Sequence, residues 1–315
     1  MSRHLFYSAV LLLLVVMMCC GSGGAAGVVG QSSESKFEWR GINEGDGVTV
    51  ESFGAPSLLK VGSDVFAVAE AQCKNGDVSF TGVASQPLTT KTANTPEELF
   101  GDALKTTQVL EKSTSEGQRK GVDVSRPTTV LKGNDIYMLA GKYSSKDCQN
   151  SGAGGCELLL VKGSVNSGDA NNKKIDWKDT ESSPQRLFEK QPDSWTRLIG
   201  SGGSGVNMKD ETLVFPVEGT KKAAGDAEED VKTVSLIIHS SDNTNWKLPK
   251  GMTDDGCSDP SVVEWEDDKL MMMTACDGGR RRVYESGDKG ESWTEALGTL
   301  SRVGQQQKWR KREGR

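Results

Sequence analysis

SGDKGESW, residues 286–293, carries Ser286, Asp288, Gly290 and Trp293 at the spacing S-x-D-x-G-x-x-W, which is that of an Asp-box. The physics of such a box is local. The serine and aspartate side chains hydrogen-bond nearby backbone groups and close the turn. The glycine takes a backbone angle that other residues resist, and the tryptophan folds back as an apolar plug. Upstream lie three β-leaning runs: residues 261–265 and 269–275 about the charged turn Glu266-Asp267-Asp268, then 282–285 after Asp277-Gly278-Gly279. Three strands and an Asp-box hairpin make one blade of a β-propeller. The box staples a turn, so it indicates architecture and carries no chemistry of its own.

A worn copy of the box lies about 46 residues earlier, a spacing that fits one blade per repeat. Ser240 and Asp242 keep their positions, the glycine is missing, and Trp246 comes one residue early. Both tryptophans are expected to be buried beneath their turns. From residue 36 onward the chain is a series of short predicted strands: 65–71, 136–140, 158–162, 212–217 and 234–239, each following a Gly-, Asn- or Asp-containing turn or a polar stretch. Polar insertions at 87–120, 163–193 and 219–232 read as surface excursions, and residues 97–110 are expected to form a short exposed helix. GSGGSG at 200–205 lacks the lysine and following helix of a phosphate-binding loop, so it reads as a turn before a strand. The predicted fold class is all-β, an incomplete propeller of about four blades spanning residues 36–303.

Residues 1–26 read as a secretory signal: a short basic start, an apolar run over 9–20, and small residues Gly24-Ala25-Ala26 at the end. A leader of residues 27–35 follows. Signal removal leaves about 289 residues with no second apolar run, so no transmembrane span is expected in the mature chain. The formal net charge of -6 comes with no large basic face, which argues against nucleic acid as a partner. The tail at 304–315 is basic, without strand pattern, and reads as disordered. Five cysteines remain after the signal, and secretion makes disulfides plausible. Cys148 and Cys156 bracket a Gly-rich loop, Cys257 and Cys276 flank two adjacent strands, and Cys73 is left odd. Two histidines and no C-x-x-C pair give no metal site, and no cofactor is expected.

Several longer segments carry a resemblance: VSRPTTVLKGNDIYMLAGKYS, LIGSGGSGV, LVFPVEGTKK, GCSDPSVVEWEDDKLMMMTACD and RRRVYESGDKGESWTEALGTLSRV. With the apolar start they make the chain, over residues 1–303, similar to the trypanosomal trans-sialidase superfamily of surface proteins. The resemblance implies a six-bladed sialidase propeller, usually followed by a lectin-like β-sandwich and a lipid-anchor signal. This sequence reaches about four blades and matches neither later part. Active members hold the sialic acid carboxylate with three arginines, a role suited to two-pronged guanidinium groups. They use a tyrosine nucleophile assisted by a glutamate, with an aspartate as acid/base, an exception among glycosidases.

Carried over residue by residue, that pattern is degenerate here. The first clamp arginine falls at Gly54, in Phe53-Gly54-Ala55-Pro56. A further sugar-contacting arginine falls at Gln72, and the acid/base aspartate at Val78, one past Asp77. A sugar-binding aspartate is replaced by Arg126, the assisting glutamate is shortened to Asp259, and the second clamp arginine falls at Ala275. The third arginine and the tyrosine lie beyond the matched segments. Arg280, Arg281 and Arg282 read as surface charges that do not replace the clamp. Asp77 and Asp259 are the residual carboxylates, and each reads as structural. The expected role is therefore a catalytically inactive surface or secreted member that binds sialoglycans or host surface or matrix proteins, or serves as an immune target. The alternatives are an exo-α-sialidase or trans-sialidase, and a truncated product without a stable function.

Overall fold

Short apolar runs bounded by Gly, Asn and Asp turns favour antiparallel hairpins. In this computed structural model, residues 37–88, 98–113, 119–142, 157–166, 173–177, 185–186, 195–221 and 233–296 are described, and they form four successive sheets. The first contains β1 (Phe37–Gly41), β2 (Val48–Val61), β3 (Asp64–Asn75), β4 (Val78–Pro87), β5 (Thr107–Ser113) and β6 (Arg119–Val122), in the order β1-β5-β4-β3-β2 with β6 on β5. The second contains β7 (Ser125–Lys132), β8 (Asp135–Lys142), β9 (Glu157–Val165), β10 (Ile175–Asp176) and β11 (Gln185–Arg186), and the third β12 (Trp195–Gly200), β14 (Val206–Asn207), β15 (Leu213–Lys221) and β16 (Thr233–Ser240). Between β12 and β14, the two-residue β13 (Gly203–Ser204) leaves its own sheet and pairs in parallel with β7 of the second. The fourth sheet is β17 (Cys257–Glu266), β18 (Lys269–Cys276), β19 (Arg280–Ser286) and β20 (Thr294–Glu295), in chain order. The chain is all-β in the way the sequence implied, a sector of four propeller blades.

The blades pack face to face through apolar side chains. Phe66, Val68 and Leu110 of the first meet Ile136, Met138, Leu159 and Trp177 of the second. Tyr137, Leu139 and Leu160 meet Trp195, Leu198, Phe215 and Leu236 of the third. Val214 and Ile237 meet Val262, Leu270 and Met272 of the fourth. A strand buried on both faces must be apolar on both. In β3 the two faces are Phe66 and Val68 against the second blade, and Ala67, Ala69, Ala71 and Cys73 beneath Phe100 and Leu104. Cys73 is free and buried, and burial pushes its thiol up to about 11, so it stays protonated and inert.

The complete Asp-box closes as its residues require. The Ser286 hydroxyl accepts from Gly290 N at 2.9 Å and donates to Asp288 Oδ1 at 2.8 Å, while Asp288 accepts from Ser292 N at 2.9 Å and Ser292 Oγ at 2.6 Å. These bonds, led by that from the Ser292 hydroxyl, hold the Asp288 carboxyl below its ordinary range. Two residues of the turn are left-handed, Lys289 (φ 55°) and Gly290 (φ 87°). The worn box has one, Asn243 (φ 62°). With one residue fewer in the turn, Trp246 arrives one position early, and asparagine tolerates the angle in place of glycine. Asp242 is held even lower, first by the Asn245 side chain and then by the Asn245 and Thr244 amides.

Two expectations are corrected. Trp246 and Trp293 are half-buried against the neighbouring core clusters rather than fully buried. Within 97–110, only Ala103–Thr106 is helical among the described residues, one turn (α1) capped by Asp102. Beyond it Val109 and Leu110 enter β5 and are buried, so tertiary packing overrides the local pattern. The turn at 200–205 does precede a strand, and in addition its Gly203-Ser204 extends the second blade. Cys257 and Cys276 face each other across β17 and β18 and are joined by a disulfide. The signal at 1–26, Cys148, Cys156 and the tail at 304–315 lie outside the described residues.

Candidate functional site

The first strands of the blades approach one another at the inner side of the sector, with β2 against β7 and β13 against both β2 and β17. Each has a residue with left-handed backbone at this approach: Ala55 (φ 44°) midway along β2, Arg126 (φ 50°) and Asp259 (φ 50°) near the starts of β7 and β17, and Gly202 (φ 79°) just before β13. In three blades the next residue is proline, Pro56, Pro127 or Pro260. The ladder slips at those points, between Gly54 and Ser57, Ser125 and Thr128, and Ser258 and Ser261. Proline donates no hydrogen bond to the partner strand, and the preceding residue is pushed out of the right-handed helical region. A non-glycine residue at positive φ is strained, and strain of this kind collects at functional sites. The remaining position, in the third blade, is glycine because the space is taken: a Cβ on Gly202 would stand 2.7 Å from the Ala55 Cβ.

Three of these four left-handed residues have their amide held by a side chain from the preceding blade. The Arg126 N–H donates to Glu70 Oε2 at 2.6 Å, the Gly202 N–H to Thr128 Oγ1 at 3.0 Å, and the Asp259 N–H to Glu218 Oε1 at 3.0 Å. Glu70 also accepts from the Gln72 amide nitrogen. Glu218 is the most buried of these acids, its side chain 8% exposed, and the same Oε1 receives an N–H of the Arg126 guanidinium at 2.7 Å. Arg126 is one-third exposed, and its other terminal nitrogen lies 4.0 Å from Asp259 Oδ1. The guanidinium thus lies between two carboxylates, Glu218 and Asp259, and is engaged by the buried one, while Glu70 holds the Arg126 backbone amide. A ligand carboxylate arriving here meets net negative charge and a cation already in use, the reverse of a carboxylate clamp.

Of the positions singled out from the sequence, Gly54, Gln72, Arg126 and Asp259 belong to this cluster or flank it, and Ala275 pairs with Ser258 beside it. Asp77 does not. It sits exposed in the turn between β3 and β4, beyond the far end of the strand that carries Glu70. Arg282 pairs with Asp254 at 2.7 Å and lies near Glu295, so it is a rim charge of the fourth blade. Glu70 and Glu218 were missed. Their signal is a carboxylate inside an otherwise apolar strand, which demands a partner. Among the described residues no group of three or more His, Cys, Asp or Glu is placed to hold a metal ion, and no helix is long and apolar enough to cross a membrane.

Residues 55–315 match the BNR repeat-like domain. Sialidase 85-1.1 of Trypanosoma cruzi is 32% identical over 272 residues. The chain belongs to the trans-sialidase superfamily. The match to Sialidase 85-1.1 covers 82% of the chain and 35% of the relative, so the chain spans about a third of that protein's length. A second Trypanosoma cruzi sialidase is 35% identical over 186 residues, 56% of this chain and 15% of that one. The solved structure of Trypanosoma rangeli sialidase in complex with sialic acid superposes with a TM-score of 0.59 at 30% identity, covering 81% of this chain and 39% of that one. A mutant of the same sialidase displaying trans-sialidase activity superposes equally well, at 29% identity with the same coverage.

Proposed function

We propose that this trans-sialidase superfamily member is catalytically inactive and acts as a secreted or surface-displayed binding protein. Its partners would be sialoglycans or host surface or matrix proteins, and it would also serve as an immune target. The observation that carries this reading is the Arg126–Glu218 ion pair. Where a carboxylate-binding enzyme needs open guanidinium groups, this chain has Gly54, Gln72 and Ala275, and the Arg126 guanidinium is paired with its own buried glutamate. The test is retention of the purified chain on an immobilised sialylated glycoprotein, followed by assay of the eluate for free sialic acid. The expected result is retention without release. Steady release of sialic acid would overturn inactivity, and absence of any retention would overturn the glycan-binding role.

A second reading, an exo-α-sialidase or trans-sialidase, is favoured by the relatives, which are named as sialidases. Under that reading Asp259 would assist the nucleophile with a carboxylate one methylene shorter than glutamate. Asp259 is more than half exposed and turned toward Arg126, which supports a charge-balancing role instead.

A further inference from the structure

The Asp-box turn of the fourth blade, residues 286–292, is seated on the third blade. The Lys289 ammonium reaches Asp210 and, at 3.3 Å, Thr212 Oγ1, both in the turn ahead of β15. Gly290 comes so close that a Cβ there would stand 2.7 Å from Ile237 Cδ1 and 3.5 Å from Pro249 Cγ. Glu291 Oε2 accepts from the Lys250 N–H at 3.4 Å. His239 shares this face of the third blade. Its register partner in β15 is Val214, and Val214 and Ile237 pack on the fourth blade. Side chains two apart on a strand, or opposite on neighbouring strands, share a face. His239 is therefore turned toward the fourth blade, and it is buried. On its other side it exchanges two backbone hydrogen bonds with Lys247, at 3.1 and 2.9 Å, which brings a lysine to the same face.

The charges around the imidazole are Lys247 of its own blade, Lys289 and Glu291 of the box turn, and Asp210 of the turn ahead of β15. Burial, then Lys247 and Lys289, outweigh the two acids and lower the imidazole from 6.5, so it is neutral at neutral pH. A proton would place a third cation beside two lysines, in a buried position where Asp210 is already engaged by Lys289. A buried charge without its own partner is costly, and the imidazole reaches water only if the box turn lifts. The neighbouring carboxylates do not act in the same pH range. Burial raises Asp210, but Lys289 and Thr212 outweigh it, and Asp288 is held low by Ser292, so both remain ionised where a histidine titrates.

We propose that His239 is a proton-operated catch between the third and fourth blades: neutral, it lets the Asp-box turn seat, and protonated, it repels Lys289 and releases the turn. The device needs only a proton from solvent and stands whether or not the central cluster binds sialosides. The test follows amide hydrogen exchange of residues 286–292 in the full chain from about pH 8 to about pH 5, corrected for the intrinsic pH dependence of exchange. The imidazole titration is read in parallel by NMR. The chain has two histidines, and the His239 signal is the one that persists in His4→Gln. The Gly290, Glu291 and Ser292 amides, bonded to Ser286 Oγ, the Asp288 carbonyl and Asp288 Oδ1, should lose protection as the imidazole takes its proton. In His239→Gln their protection should no longer change with pH. Lys289→Met removes one repelling cation, so the imidazole midpoint should move up toward 6.5. Protection constant across the range in the parent, or an equal loss in His239→Gln, overturns the proposal. So does an imidazole midpoint unmoved in Lys289→Met.

Discussion

Removing the Arg126 guanidinium should destabilise the chain more than an exposed ion pair would, because of where its partner sits. Glu218 is 8% exposed, and its Oε1 is shared between Arg126 at 2.7 Å and the Asp259 amide at 3.0 Å. With charge centres about 4 Å apart and an effective dielectric near 20, the attraction is about 4 kcal/mol. Arg126 is one-third exposed, so solvent recovers part of this and the expected cost of Arg126→Met is about 2 kcal/mol. Glu218→Gln keeps an acceptor for the Asp259 amide and should cost about 1–2 kcal/mol. In the double variant the losses overlap, giving a coupling energy of about 1.5 kcal/mol. The assay is urea unfolding of the four proteins at low salt, read as midpoint shifts at constant slope. A coupling below about 0.5 kcal/mol would show that the two side chains do not act on each other, and the reading of a self-neutralised centre would fail.

Other consequences follow from single features. The Cys257–Cys276 disulfide closes a loop with a sequence separation of 19; opening it with Cys276→Ser should cost about 3 kcal/mol in chemical unfolding if loop entropy dominates. Gly219→Ala places a Cβ 2.4 Å from Trp195 Cζ3, so the variant should lose about 1–3 kcal/mol, and a neutral effect would show that the Trp195 ring can shift. His239 is buried, and desolvation, with Lys247 and Lys289 nearby, lowers its pKa from 6.5. A lowered folded value means the unfolded chain binds the proton more readily, so this residue's contribution is intact above pH 6.5 and is lost as pH falls through the folded value. The melting temperature should therefore drop less on acidification in His239→Gln than in the parent, and an identical drop would exclude His239 as the cause.

The blades were legible because their information is local. Residues 136–140 and 234–239 are apolar runs between turn signals, and each became a strand that extended only slightly, Asp135–Lys142 and Thr233–Ser240. The Asp-box was legible because four residues within eight positions carry it. The segment after residue 97 was misread because Asp102 and Ala103–Thr106 start a helix. What stops it is the burial of Val109 and Leu110 between β1 and β4, a tertiary fact.

The central cluster was legible only in part. The repeated x-x-Pro-Ser/Thr pattern at 54–57, 125–128 and 258–261 is present in the sequence, but Gly202 breaks it in the third blade. Glu70 and Glu218 act on residues 56 and 92 positions away. No local pattern states which distant group a buried carboxylate will meet. The tryptophans of the two boxes were read as buried and are half-buried, because their packing partners are core residues distant in the sequence.

The central claim is that Arg126 is spent on an internal carboxylate and that no sialic acid chemistry remains. It is tested most directly by turnover of a fluorogenic sialoside by the purified chain across acid to neutral pH, with and without a galactoside acceptor. The account predicts no release above the no-enzyme rate and no sialylated acceptor. Sustained release that scales with protein concentration and is lost in Asp259→Asn would contradict it.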